Sequence, residues 1–211
     1  MITIVDYGLS NLLSIRRAVE KLGEIVTIID DPIEVMKAEK IILPGVGAFM
    51  YGMNCLNERG LSEAIICKAK EGIPILGICL GMQMLFTDSE EGGMENGLNL
   101  VDGHVIKIPE VDTRGVKQNV PHIGWDKFEL FSQSFENGSI LDSILPTDEV
   151  YFVHSYYAVP NDKNAECSYA LYGGRKICAT VQKNNVVGCQ FHPEKSGEVG
   201  LRILANFLKM K

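Results

Sequence analysis

Short apolar runs alternate with segments of helical period through the first half of the chain. Ile2 to Val5 is a β-branched run that ends in the turn Asp6-Tyr7-Gly8. Leu12, Leu13, Ile15, Ala18, Val19 and Leu22 then recur at helical spacing, and Gly23 stops the pattern. Ser10 or Asn11 is the expected cap of this helix. Ile25–Ile29 and Lys40–Leu43 read as strands, the latter running into Pro44-Gly45-Val46-Gly47. Helices are expected over about Phe49–Leu56 and Leu61–Lys70, then a buried strand over Ile73–Ile78 and a helix from near Leu80. Alternating strand and helix predicts an α/β domain with a mostly parallel sheet covered on both faces. Such sheets place their chemistry at the carboxyl ends of the strands. Asp6-Tyr7-Gly8, Pro44-Gly45-Val46-Gly47 and Cys79 all fall there.

The second half has a different period. Asp88 to Asn99 is acidic and glycine-rich and reads as a loop. Strands follow near Gly103–Ile108, Lys127–Leu130, Val150–Val153, Tyr156–Val159, Cys167–Tyr172, Ile177–Gln182 and Val186–Gln190, with Asn184-Asn185 as a hairpin turn. Gly197–Met210 closes the chain as a helix. No repeat or linker divides the sequence, so residues 1–211 are expected to form one domain.

Composition changes this picture little. The chain is 46% hydrophobic and 22% charged, with a formal charge of -7. That balance gives no reason to expect broad binding to nucleic acid or anionic lipid. Neither a signal-peptide pattern nor a run of membrane-spanning length is present, which predicts a cytosolic protein. The cysteines at 55, 67, 79, 167, 178 and 189 stand singly, without the spacing of a zinc site. Most are expected to be free and buried, and no metal or other cofactor is expected. The acidic residues Asp88, Glu90, Glu91 and Glu95 read as a solvated loop, His122 as a turn-holding structural residue, and Trp125 as core or interface.

The candidate chemistry centres on Gly77-Ile78-Cys79-Leu80-Gly81. A nucleophile on a strand-to-helix bend needs small neighbours on both sides, and this is the thiol counterpart of the G-x-S-x-G elbow. The N-terminal N–H groups of the next helix would favour the thiolate. A base is also needed, and only His192 sits in a segment suited to hold one, Gln190-Phe191-His192-Pro193-Glu194. Pro193 biases His192 toward an extended conformation, so Glu194 is expected on the same side, orienting the imidazole. The Leu80 N–H is the expected first oxyanion donor, and Pro44-Gly45-Val46-Gly47 a source of the second.

These stretches together resemble the class I (triad) glutamine amidotransferases. "GICLGMQ" is similar to their nucleophile elbow and "FHPEKS" to their histidine–glutamate segment. "IVDYGLSNLLS", "LPGVGAF", "VPHIGWD" and "YFVHSYYA" narrow the resemblance to the glutaminase subunits of imidazole glycerol phosphate synthases. The resemblance implies a flavodoxin-like fold with a central mixed sheet flanked by helices. It implies that Cys79 attacks the glutamine amide, His192 moves the proton and Glu194 orients His192. Val46 and Leu80 would supply the oxyanion N–H groups, the Val46 peptide reorienting first. Gly47, Gln83, Ser155 and Tyr156 would hold the α-amino and carboxylate groups of glutamine. Asn11, Tyr151 and Lys195 match positions facing a (β/α)₈-barrel cyclase, the implied heterodimer partner.

Ammonia released into neutral water is mostly protonated and loses its nucleophilicity. With no second catalytic domain in this sequence, the acceptor site is expected on another polypeptide. A paralogous subunit feeding ammonia to a nitrogen-containing surface sugar would carry the same motifs. A non-catalytic subunit is disfavoured by the intact Cys79, His192 and Glu194. A thiol peptidase is disfavoured because Gly47 and Gln83 suit a small amino-acid ligand better than a peptide groove.

Overall fold

The computed structural model describes residues 1–9, 11–130 and 139–210. The first half contains β1 (Ile2–Val5), α1 (Leu12–Lys21), β2 (Val26–Ile29), α2 (Pro32–Val35), β3 (Lys40–Gly45), α3 (Phe49–Glu58), α4 (Leu61–Lys70), β4 (Ile75–Cys79) and α5 (Leu80–Met84). Then come β5 (Phe86–Ser89), β6 (Glu95–Asn96), β7 (Val101–Lys107), β8 (His122–Leu130), β9 (Glu149–His154) and β10 (Tyr156–Pro160). β11 (Glu166–Tyr172), β12 (Arg175–Lys183), β13 (Val186–Cys189) and α6 (Gly197–Lys209) complete the chain. A 3₁₀ turn at Pro193–Lys195 joins β13 to α6.

Among the described residues, nine strands form one mixed sheet in the order β2-β1-β3-β4-β13-β12-β11-β8-β9. The strands from β2 to β13 run parallel, and the pairs beyond β13 are antiparallel. The sheet is therefore less parallel than the alternating first half suggests, because the second half is built of hairpins without crossover helices. A four-stranded sheet, β10-β7-β5-β6, lies apart from it.

The parallel strands are apolar on both faces because both faces are covered. Ile41 and Leu43 pack with residues of α3 and α4, whereas Ile42 packs with residues of α1 and α6. Each such fully buried aliphatic side chain contributes about 1.5–3 kcal/mol.

Two expectations need correction, and one helix has no counterpart in the sequence pattern. The four-residue α2 is too short to show a period; it starts at Pro32, with Asp31 accepting the Ile33 N–H as a cap. The acidic segment from Asp88 to Asn99 is not simply a loop, since β5 and β6 pair within it. β8 starts at His122, ahead of the expected Lys127, because Gly124 and one solvent-facing side interrupt its apolar pattern. Ser10 lies outside the described residues, and Asn11 precedes α1 without a side-chain capping bond. No helix among the described residues is long and apolar enough to cross a membrane.

Register sets the location of the chemistry. Gly45 on β3 lies opposite Cys79 on β4, and Ile78 lies opposite Cys189 on β13. Gln190 and His192 thus leave the sheet beside Cys79. The elbow fits only because its neighbours lack side chains. A Cβ on Gly81 would fall 1.8 Å from the Leu43 carbonyl oxygen, and one on Gly77 would fall 2.7 Å from that of Gly81. Neither backbone can withdraw without moving a central strand. Gly81→Ala should therefore lower stability in urea unfolding by about 1–3 kcal/mol or more. An unchanged midpoint would show that the β3–α5 approach is not rigid.

Candidate active site

Cys79 ends β4 with φ 54° and ψ −111°, a left-handed backbone that side chains other than glycine rarely adopt. Such a residue costs on the order of 1–3 kcal/mol and persists only where its surroundings enforce it. Here the enforcement is the packing of Gly77 and Gly81. α5 is five residues long. Cys79 therefore meets the free N–H groups of one turn, not the dipole of a long helix. Leu80 is the first residue of that turn, so its N–H has no acceptor within the helix.

A cavity of about 290 Å³ opens at Cys79, lined also by Val46, Gly47, Leu80, Gln83, Ser155, Tyr156 and His192. It brings together every residue expected from the sequence to react with or hold the substrate, except Glu194, which stands behind His192. The His192 Nδ1 lies 2.8 Å from Glu194 Oε1, and both side chains are buried. His192 is extended, as expected from Pro193, but the segment after it is not. Pro193–Lys195 is a 3₁₀ turn, not an extended segment, and the turn carries Glu194 back to the ring. α6 sits close on this turn because a Cβ on Gly200 would fall 1.9 Å from the Pro193 carbonyl oxygen.

Burial works against a charged His192, but the Cys79 sulfur and Glu194 carboxylate outweigh it, pushing its pKa up to about 9. His192 Nε2 has no hydrogen-bond partner among the described residues. The Cys79 Sγ lies 3.8 Å from the Val153 carbonyl and 3.8 Å from Gln190 Nε2. A nucleophilic thiol, a base with a free nitrogen and a carboxylate orienting that base are what acyl transfer through a thioester requires.

One of the two expected oxyanion donors does not face the cavity. Tyr7 is buried beneath the Pro44–Gly47 stretch and donates to the Pro44 carbonyl at 2.8 Å. The Val46 N–H, however, donates to the Leu9 carbonyl at 3.1 Å. It is not presented to the cavity. Gly47 follows with φ 101°, a conformation glycine adopts freely.

Gln83 donates through Nε2 to the Tyr156 carbonyl at 2.8 Å and to Gln190 Oε1 at 3.0 Å. Both amide hydrogens are thereby engaged, which leaves Oε1 as its acceptor for a ligand. Gln190 is not among the residues expected at the site, although a polar residue directly after the apolar run Val186-Val187-Gly188-Cys189 is a signal. Nor is Glu91, which lines the cavity and accepts the Phe49 N–H at 2.8 Å instead of lying in a solvated loop. Burial pushes the Glu91 carboxyl up.

His122 does not hold a backbone turn. It contacts His154 Nε2 at 3.1 Å and Asp126 at 2.7 Å. His154 lines the cavity, but burial holds its pKa down to about 3. It is therefore neutral. Cys167, Cys178 and Cys189 are buried, whereas Cys67 is exposed and Cys55 half-buried. Tyr151 meets Trp125 edge-on at 6.0 Å, and Lys195 Nζ sits 5.9 Å from the Tyr151 ring. Trp125 and Ile123 are 52% and 59% exposed beside them. α1, which starts just after Asn11, packs against the turn carrying Lys195.

A family model described as glutamine amidotransferase class-I matches residues 3–210. The chain is 45% identical over 208 residues to the imidazole glycerol phosphate synthase subunit HisH of Syntrophotalea carbinolica, covering 98% of each chain. It is also 45% identical over 211 residues to the protein of that name from Geobacter sulfurreducens, covering 100% of this chain and 99% of the relative. Among solved structures, one titled as a glutamine amidotransferase superposes with a TM-score of 0.70 at 15% identity, over 99% of this chain and 98% of the other. PurLQS from Thermotoga maritima superposes with a TM-score of 0.67 at 20% identity, over 98% and 96%. At these identities the structures show the shared fold.

The His192 environment gives a direct test. Replacing Glu194 with Gln removes one of the two negative partners, so the His192 titration followed by imidazole NMR should move down from about 9 toward the ordinary 6.5. An unmoved titration would mean that Glu194 does not hold the imidazolium.

Proposed function

The chain belongs to the class I glutamine amidotransferases, and from that membership we propose that it is the glutaminase subunit of an imidazole glycerol phosphate synthase. It works in L-histidine biosynthesis as a cytoplasmic enzyme, with residues 1–211 acting as one glutaminase domain. It hydrolyses glutamine and passes ammonia to a (β/α)₈-barrel cyclase, which forms imidazole glycerol phosphate and an aminoimidazole carboxamide ribotide. The observation that carries the glutaminase chemistry is one cavity holding a strained Cys79 and a His192 bonded to Glu194, and the 45% identity to relatives named imidazole glycerol phosphate synthase subunit HisH carries the pathway.

In this reading the Cys79 thiolate attacks the side-chain amide carbon of glutamine, and the carbonyl oxygen takes the negative charge. His192 gives its proton to the departing nitrogen, and ammonia leaves behind a glutamyl thioester. His192 then takes a proton from water, which attacks the thioester and releases glutamate. Glu194 keeps the imidazole aligned through both steps. Glu91 and the Gln83 Oε1 are acceptors suited to the α-ammonium group, and the Gly47, Ser155 and Tyr156 backbone completes the amino-acid site. Asn11, Tyr151 and Lys195, with the exposed Trp125 and Ile123, form the face offered to the cyclase.

The oxyanion would be held by the Leu80 N–H and, once released from Leu9, by the Val46 N–H. One missing donor of this kind costs about 10²–10³ in rate. The Val46–Leu9 bond therefore supports a subunit that is slow alone and fast in complex. Glutamate release should rise by about 10²–10³ when the cyclase and its nucleotide ligand are added. Cys79→Ala should abolish it under both conditions. Equal turnover with and without the loaded cyclase would remove the case for this partner, and turnover surviving in Cys79→Ala would remove the case for the thioester.

A further inference from the structure

His122 on β8 and His154 on β9 face each other as a cross-strand pair. His154 Nδ1 lies 2.9 Å from the Tyr156 carbonyl oxygen, its Nε2 lies 3.1 Å from His122 Nδ1, and His122 Nε2 lies 2.7 Å from Asp126 Oδ2. The Tyr156 carbonyl is also the acceptor for Gln83. A continuous chain of contacts thus runs from Asp126 to the cavity wall. His122 is clamped between Phe152 and Tyr172, with ring centroids at 4.9 and 4.1 Å, so it cannot swing away.

Counting protons on this chain is decisive. A carbonyl oxygen only accepts, so His154 Nδ1 carries a hydrogen. The N–N contact needs one hydrogen, and a carboxylate only accepts, so His122 Nε2 needs another. Three contacts require three N–H groups, whereas two neutral imidazoles supply two. We propose that His122, His154 and Asp126 are positioning residues for the glutamine site. His122 takes up one proton beyond its neutral complement, balanced by the Asp126 carboxylate. That proton locks the Tyr156 carbonyl and Gln83 in place.

The groups facing the pair are Asp126 on β8, Tyr172 on β11 and, beyond His154, the His192 imidazole. Burial pulls the His122 pKa down, and Asp126 opposes it. The extra proton is therefore bound on the acid side and lost as pH rises. Without it, two lone pairs face each other at the N–N contact, or the ring loses Asp126. The role in glutamine binding rests on the glutaminase reading above, whereas the proton count does not.

Asp126→Asn separates the two. An amide can donate to His122 Nε2, so all three contacts are satisfied by two neutral rings. Imidazole ¹⁵N NMR of the full chain on the acid side of neutrality should show three bonded N–H groups on the two rings, and two in Asp126→Asn. In the loaded complex, the KM for glutamine should rise with pH in the parent chain and flatten in Asp126→Asn. His122→Phe fills the clamp but leaves His154 Nε2 without its donor, and should raise KM about tenfold with a smaller change in kcat. Two N–H groups in the parent chain, or the same count in Asp126→Asn, would overturn the shared proton. An unchanged KM in His122→Phe would overturn the positioning role. Absence of glutamate release from the parent complex would instead remove the function on which that role rests, with the proton count still decided.

Discussion

The left-handed backbone of Cys79 is the constraint on which the rest of the site depends. A cysteine held at φ 54° stands at the end of its strand with its sulfur at the cavity, but it stays there only under compulsion. Gly77 and Gly81 let β4 and α5 fold onto each other at that point, and Gly45 lets β3 approach Leu80 and Tyr7. Gly188 leaves room for Met82 on the far side, where a Cβ would lie 2.6 Å from that side chain. The central strands thus act as a clamp, and their two buried faces supply the stability that the strained turn consumes.

That clamp fixes the Cys79 side of the proposed centre but does not set the Val46 peptide toward the cavity. The Cys79, His192 and Glu194 side chains are set by β4, β13 and a turn pressed against α6. The proposed second oxyanion donor, the Val46 N–H, lies just past the glycine-rich end of β3, where it is bonded to Leu9. Leu9 lies just ahead of α1, which packs on the turn carrying Lys195. A partner seated across Asn11, Tyr151 and Lys195, as proposed, would lie beside both α1 and the turn that carries Glu194. On the proposed reading, a hole completed only in the complex would limit glutamine hydrolysis to times when the ammonia has a destination.

Much of this was legible in the residues. The alternating first half located β3, β4 and the bend at Cys79, because continuous apolar runs and helical periods there reflect burial on two faces. The clustering of Cys79, Gln83, Ser155, Tyr156 and His192 in one cavity followed from strand ends and motif resemblance. The contact between Glu194 and His192 is legible from the extended His192 that Pro193 enforces, but the 3₁₀ turn beginning at Pro193, not an extended period, brings Glu194 to the ring. Glu91 and Gln190 were hidden because a carboxylate in an acidic stretch and an amide beside a motif look ordinary until folding buries them. The His122–His154 pair was invisible to any local pattern, for it exists only through the β8–β9 register.

The Val46 amide offers the most direct measurement. Its bond to Leu9 can be followed by hydrogen-bond coupling in NMR, in the isolated chain and in the nucleotide-loaded complex carrying a glutamine-derived adduct on Cys79. Release from Leu9 in the loaded complex, with a new bond to the adduct oxygen, is the expected result. A Val46 N–H still bonded to Leu9 while the complex turns over glutamine at its full rate would contradict a gated oxyanion site.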